Sequence, residues 1–74
     1  MIQPLMHTYA TLGGVPVIIQ WPRVSEADEI DDIRVSIDEN AVANMMVGPD
    51  ITAFNINEHT TEIYAAAMAE HRRG

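Results

Sequence analysis

The sequence predicts a small α+β fold, with residues 1–74 forming a single domain. We expect an N-terminal β-hairpin and one or two further strands in an antiparallel or mixed sheet, with a C-terminal α-helix packed on it. Three observations lead to this fold class. A Gly-Gly pair lies between two strand-like runs, a central run alternates apolar and polar residues, and the last 18 residues are typical of a helix. No internal repeat or linker divides the chain.

The first element is a hairpin, predicted over residues 5–12 and 15–21. The Gly-Gly pair supplies the positive φ angles that a two-residue hairpin turn requires. In this register Leu12 faces Val15 as a hydrogen-bonded pair, and the next pair, which contains Pro16, has no hydrogen bonds. The N–H that proline lacks would then point out of the hairpin. We therefore expect the second strand to lie at an edge of the sheet near Pro16.

The chain after the hairpin is strongly acidic. Ser25 and Asp28 are spaced as in a variant capping box, and acids suit the positive end of a helix dipole. This pattern predicts a short helical turn over residues 26–31. Residues 33–37 alternate apolar with polar side chains, which predicts a strand with one buried face.

Two interpretations remain open for residues 41–47. In the first, Asp38 caps a helix that presents Met45 and Met46 on its apolar face and stops at Gly48. In the second, a hairpin turn through residues 38–40 leads into a strand over residues 41–47. We favour the helix because both a cap and a stop fit it.

The remaining chain predicts a strand and a helix. Residues 51–56 are expected to form the strand, and the helix follows with acids near its start, alanines in its middle and arginines at its end. Asn57 or Thr60 is expected to cap this helix. The residues expected to form its packing seam are Ile63, Ala66, Ala67 and Phe54.

Composition excludes several classes of function. The chain has no cysteine, so disulfides and thiolate zinc sites are absent. It has no lysine and only four arginines, so direct binding to nucleic acid or to anionic membranes is not expected. No signal peptide is recognisable, and the longest apolar run, residues 15–19, is too short to span a bilayer. We therefore expect a soluble cytoplasmic protein, either in its own cell or in a host cell.

Residue patterns for catalysis and metal binding are weak. His59 and Glu62 are three apart on a predicted helix next to two threonines, a spacing that acidic helices often show by chance. Threonines at the start of a helix usually cap it. Asp28, Asp31 and Asp32 lack the glycine that allows a calcium-binding loop to turn. We expect no catalytic residues, no metal site and no cofactor.

The strongest signal is the distribution of charge. Residues 26–39, which we call the acidic segment, contain seven acids and one arginine, a net charge of −6 within a chain of net charge −7. The simplest interpretation of such a run is a solvated surface without a partner. The alternative is a contact surface for a basic partner, with Trp21 and Tyr64 at its margin. The acids of this predicted surface are Glu26, Asp28, Glu29, Asp31, Asp32, Asp38 and Glu39.

Two functional hypotheses follow. The first is a non-enzymatic protein-interaction module that docks on a basic surface, including as an inhibitor that presents carboxylates in place of phosphates to a nucleic-acid-binding protein. Small acidic proteins without cysteine from phages and mobile elements offer a compositional analogy. The second is a structural or assembly subunit that forms a homo-oligomer through the edge of the hairpin or the terminal helix.

Overall fold

A three-stranded antiparallel sheet with a C-terminal helix packed on it forms the molecule, which confirms the predicted fold class. The computed structural model describes residues 5–23, 30 and 32–73. Two short 3-10 helices, Ile51–Ala53 and Ile56–His59, lead into the terminal helix. In chain order the strands and α-helices are β1 (Leu5–Leu12), β2 (Val15–Pro22), β3 (Arg34–Ile37), α1 (Glu39–Ala43) and α2 (Thr60–Arg73).

The hairpin of β1 and β2 has the predicted register. Leu12 pairs with Val15 across the turn, and the pairing continues to Leu5 and Pro22 at the open end. The two turn glycines have φ angles of +56° and +85°, the left-handed region that other residues rarely occupy. The hairpin prediction is therefore confirmed.

Pro16 lies just beyond the last residue pair of β2 with β3, and it does not mark β2 as an edge strand. β2 is the central strand, so the prediction that it lies at an edge is wrong. Its pairing with β3 stops where Val17 faces Ile37. Beyond that pair the Asp38 N–H donates to the Pro16 carbonyl (3.0 Å), but Pro16 has no N–H to return. The Asp38 carbonyl instead accepts from the Val42 N–H (3.0 Å), so the proline frees the acceptor that begins α1.

α1 confirms the helical interpretation of residues 41–47 only in part. Asp38 is its N-cap, and its Oδ1 accepts from the Ala41 N–H (3.2 Å) as predicted. The helix ends at Ala43, because its last turn tightens to a 3-10 geometry. The Met45 N–H there donates to the Val42 carbonyl, three residues earlier (3.1 Å). Met45 and Met46 lie beyond this end and are exposed, so the predicted apolar face containing them is wrong.

The predicted strand over residues 51–56 is wrong. The segment forms 3-10 turns because short polar side chains supply local hydrogen bonds that compete with strand pairing. The Thr52 hydroxyl donates to Asp50 Oδ1 (2.6 Å), and the Asn57 N–H donates to the Asn55 side chain (3.0 Å). Asn55 is thus the cap of the helical run that continues into α2. The expected caps, Asn57 and Thr60, lie within that run.

One face of the sheet carries the core. Ile63, Ala67 and Met68 of α2 are buried in it, and Ala66 and Phe54 pack at its margin. The predicted seam is confirmed, and Met68 joins it. The residues that the sheet and Ile30 contribute to the buried core are Leu12, Val15, Val17, Ile19, Trp21 and Ile30.

Candidate functional site

The acidic segment lies only partly within the described residues. Glu26, Asp28, Glu29 and Asp31 lie outside them, as does the predicted capping box. Of the predicted helical turn over residues 26–31, only Ile30 is described, and it is buried. The described acids flank β3, with Asp32 before the strand and Asp38 and Glu39 after it. Charge at both ends of β3 is therefore the part of the predicted surface whose geometry is known.

Asp32 is an exposed acid at a left-handed backbone position. Its φ is +56°, a conformation in which aspartate and asparagine are enriched among residues other than glycine. Its carboxylate lies 4.0 Å from the Arg34 guanidinium, and the two side chains are 67% and 80% exposed. An ion pair this long and this exposed contributes about 0–1 kcal/mol to stability. Asp32 thus presents a largely exposed side chain just before β3.

Asp38 and Glu39, the other two described acids of the acidic segment, differ in how far they are exposed. Asp38 is half-buried and uses its carboxylate to cap α1, so its first role is structural. Glu39 begins α1 and is exposed. Of the pair, Glu39 is the better placed to meet a partner.

Trp21 does not belong to an exposed surface. It is 0% exposed, and its Nε1–H donates to Nδ1 of His71 (3.3 Å) across the sheet–helix contact. A buried indole with a hydrogen-bonded N–H is a core anchor. We therefore withdraw Trp21 from the predicted contact surface, because it offers no area to a partner.

Tyr64 is 44% exposed and lines an apolar groove that sequence reasoning missed. The groove lies between β3 and α2, has a volume of about 270 Å³, and is called the β3–α2 groove below. Ile33 and Val35 are only half-buried on the β3 side, whereas the core-facing residues of β2 are fully buried. α2 therefore leaves part of the sheet uncovered. The lining residues are Ile33, Val35, Ile56, Thr60, Ile63 and Tyr64.

A second cleft, of about 410 Å³, lies beside the hairpin turn and includes His59. The His59 ring stacks on Phe54 with centroids 5.6 Å apart, and its Nδ1 lies 3.0 Å from Glu62 Oε1. A β-carbon at Gly13 would lie 3.5 Å from the same ring. His59 thus packs against the turn, and these contacts give it a structural role.

Asp50 lies on the rim of this cleft. The Thr52 hydroxyl, which donates to its carboxylate, is the main cause that lowers the pKa of Asp50 below its usual value. Within residues 5–23, 30 and 32–73, no three His, Asp or Glu side chains converge as a metal site would require.

Comparison with protein-family models, curated proteins and solved structures finds no match to this chain. Among the described helices, none is both long and apolar enough to cross a membrane. We therefore base the proposed function on the charges and exposed side chains of the chain itself.

Proposed function

We propose that this chain is a non-enzymatic interaction module that docks on a basic surface of a partner protein. One observation carries the proposal: residues 26–39 hold a net charge of −6, while the other 60 residues hold −1. Asp32 and Glu39, the exposed residues among the described acids of the acidic segment, support it from the two ends of β3. The chemistry that fits such a surface is a cluster of lysines and arginines.

The two parts of this surface contribute differently to binding. Charges in water attract weakly one by one, but together they steer encounter and can raise association rates by about 10–10³-fold. This attraction is screened beyond about 8 Å at physiological salt. The β3–α2 groove is lined by Ile33, the residue after Asp32, and offers apolar contact that salt does not weaken. Tyr64 is the aromatic side chain type that often anchors interfaces.

A nucleic-acid-binding protein is the partner class that this surface suits best. Its groove is built to hold a row of negative phosphates with lysine and arginine. Carboxylates of the acidic segment would occupy the same contacts, so the chain would act as an inhibitor without binding nucleic acid. This partner class places the chain inside a cell, either its own or a host cell.

The test compares two variants of equal charge. The first replaces Asp28, Asp31 and Asp32 by asparagine, which keeps the left-handed backbone accessible at Asp32. The second replaces three acids elsewhere by glutamine, so both variants have net charge −4 from −7. The control acids are Glu58, Glu62 and Glu70.

Each variant is used to capture proteins from a cell extract at about 0.05 M and about 0.5 M salt, and the affinity of the captured partner is then measured. We expect the first variant and high salt to weaken binding, and the control variant to bind as the wild type does. Equal effects of the two variants, or no effect of either, would contradict the proposal. Displacement of duplex DNA from the partner tests the inhibitor form.

The groove has its own test. Tyr64→Ala is expected to weaken binding of the captured partner at both salt concentrations, because the lost contact is apolar. Met46→Ala is the matched control, since Met46 is fully exposed and does not line the groove. Equal affinities of the two variants would remove the groove from the interface and leave the acidic segment alone.

Homo-oligomerisation is a second candidate function and is favoured by a different observation. β1 is an outer strand of the sheet and contains no Asp, Glu, Lys or Arg. Asp32 and Glu39 adjoin the opposite outer strand. Self-association through β1 and partner binding through the acidic segment are therefore separable.

A further inference from the structure

The two outer strands of the sheet differ in how their edges are protected. β3 is four residues long, contains Arg34 and is flanked by Asp32 and Asp38. Short strands and charges of this kind prevent pairing with another sheet. β1 is eight residues long and has no charged residue and no proline. An edge of this length without such protection is a template for a further strand.

The register shows which backbone groups of β1 face away from the hairpin. Leu12 and Val15 flank a two-residue turn and form a hydrogen-bonded pair, so hydrogen-bonded and non-hydrogen-bonded pairs alternate from there. Among the described residues, no hydrogen bond reaches the outward groups from outside the hairpin. The residues whose N–H and C=O point outward are Leu5, His7, Tyr9 and Thr11.

We propose that a second copy of this chain pairs antiparallel with β1 and continues the sheet to six strands. A two-fold axis beside Thr8 places His7 opposite Tyr9 of the second copy and Leu5 opposite Thr11 of the second copy. All four outward-facing residues then pair with outward-facing residues, so every free group of the edge gains a partner. A shift by one residue would set outward groups against inward ones.

The side chains fit the same arrangement. Leu5 and Tyr9 are 64% and 63% exposed on the face of the sheet that α2 does not cover. The rings of His7 and Tyr9 already meet edge to face within one chain, with centroids 5.6 Å apart. Pairing would place a second His7 and Tyr9 beside them. Aromatic side chains that face each other across two strands stabilise their pairing.

The charge distribution favours a second copy despite the net charge of −7. In the paired sheet the two β3 strands would be five strand spacings apart, about 24 Å. Charges beside them would be screened, because the Debye length is about 8 Å at physiological salt. β1 also has no carboxylate side chain that would attract a basic partner.

The first experiment measures mass by sedimentation equilibrium from about 1 µM to about 1 mM. We expect the mass to rise from 8.2 kDa to twice that value. The double variant His7→Lys/Tyr9→Lys sets like charges opposite each other and is expected to stay at 8.2 kDa. Ser36→Lys/Ala65→Lys changes the net charge equally at two exposed positions outside β1 and is expected to dimerise.

Two outcomes of this experiment would overturn the proposal. A wild-type chain that stays monomeric over the whole range shows that the edge does not pair. A dimer that persists with both lysines on β1 shows that the interface lies elsewhere. Neither outcome affects the proposed docking of the acidic segment, because its test measures binding to a different protein.

A cysteine pair tests the register, since the native chain has no cysteine. Thr8 would lie opposite Thr8 of the second copy with Cα atoms about 4.5 Å apart, within the range for a disulfide. Thr8→Cys is therefore expected to give a covalent dimer on mild oxidation. Ala10→Cys is the matched control, half-buried on the same strand face but about 13 Å from its copy. Cross-linking of Ala10→Cys but not of Thr8→Cys would refute the register.

Discussion

Replacing Ile19 by alanine should cost far more stability than the same change at Ile18. The two residues are neighbours in the central strand, but Ile19 is 0% exposed between the sheet and α2, whereas Ile18 is half-buried on the face that α2 leaves open. Ile18 pairs with Tyr9 and Ser36 on that open face. Since the change in side chain and in strand propensity is the same, the difference between the variants isolates burial.

The expected magnitudes follow from this geometry. Removing a fully buried isoleucine side chain down to alanine costs about 2–5 kcal/mol, because a cavity remains as well as the lost transfer energy. At Ile18 no enclosed cavity forms and part of the side chain is already in water, so we expect a loss of about 1 kcal/mol. A domain of this length has a free energy of unfolding of about 4–11 kcal/mol. Ile19→Ala therefore removes a large share of the stability.

Urea unfolding measures the difference directly. Trp21 is the single tryptophan and is buried, so its fluorescence reports the transition. With a slope of about 1 kcal/mol per molar urea, a loss of about 2 kcal/mol lowers the midpoint by about 2 M. If Ile19→Ala does not fold, Ile19→Val and Ile18→Val give the same comparison, with about 0.5–1.5 kcal/mol expected at Ile19. Equal losses at the two positions, or a larger loss at Ile18, would refute the assignment of the buried face.

Three further predictions concern caps, packing and titration. Asp38→Ala should lower stability by about 1 kcal/mol in the same urea assay and Asp38→Asn by much less, because asparagine also caps; equal losses would contradict the cap. Ala67→Leu should lower the free energy of unfolding by about 1–3 kcal/mol, because Ala67 is 0% exposed. Ala69→Leu, on the exposed side of α2, should lower it by only about a few tenths of a kcal/mol. Equal losses would contradict the packing of α2. Thr52→Val should raise the pKa of Asp50 in an NMR titration, because it removes the donor that lowers it; an unchanged pKa would show that another group holds it down.

The titration also has a consequence for stability, with a sign that follows from the direction of the shift. The folded pKa of Asp50 lies below its unfolded value. Its hydrogen bond with Thr52 therefore stabilises the fold above the unfolded pKa, and this contribution is lost as pH falls through the folded pKa. Thr52→Val should weaken this part of the acid dependence, and Thr61→Val, an exposed threonine on α2, provides the comparison.

Elements governed by local chemistry could be predicted from the sequence. The Gly-Gly turn imposes the hairpin register, because few other residues accept its φ angles. Asp38 caps α1 and alternating apolar residues mark β3, since both signals act within a few residues. The prediction of a strand around Phe54 was wrong because the apolar residues there suggest a strand, while Asp50 and Asn55 turn the chain through side-chain hydrogen bonds.

Some features of the candidate site can likewise be read from the sequence, and others depend on the tertiary structure. The concentration of acids in residues 26–39 and the absence of charge in β1 can be counted in the printed sequence. That Trp21 is buried, that α2 leaves a groove beside β3 and that β1 is an outer strand all depend on contacts between residues far apart in the chain. Periodicity shows which side of a strand is apolar. It cannot show how far a helix covers that side or which strand has no neighbour, because strand order and helix placement follow from packing of the whole core.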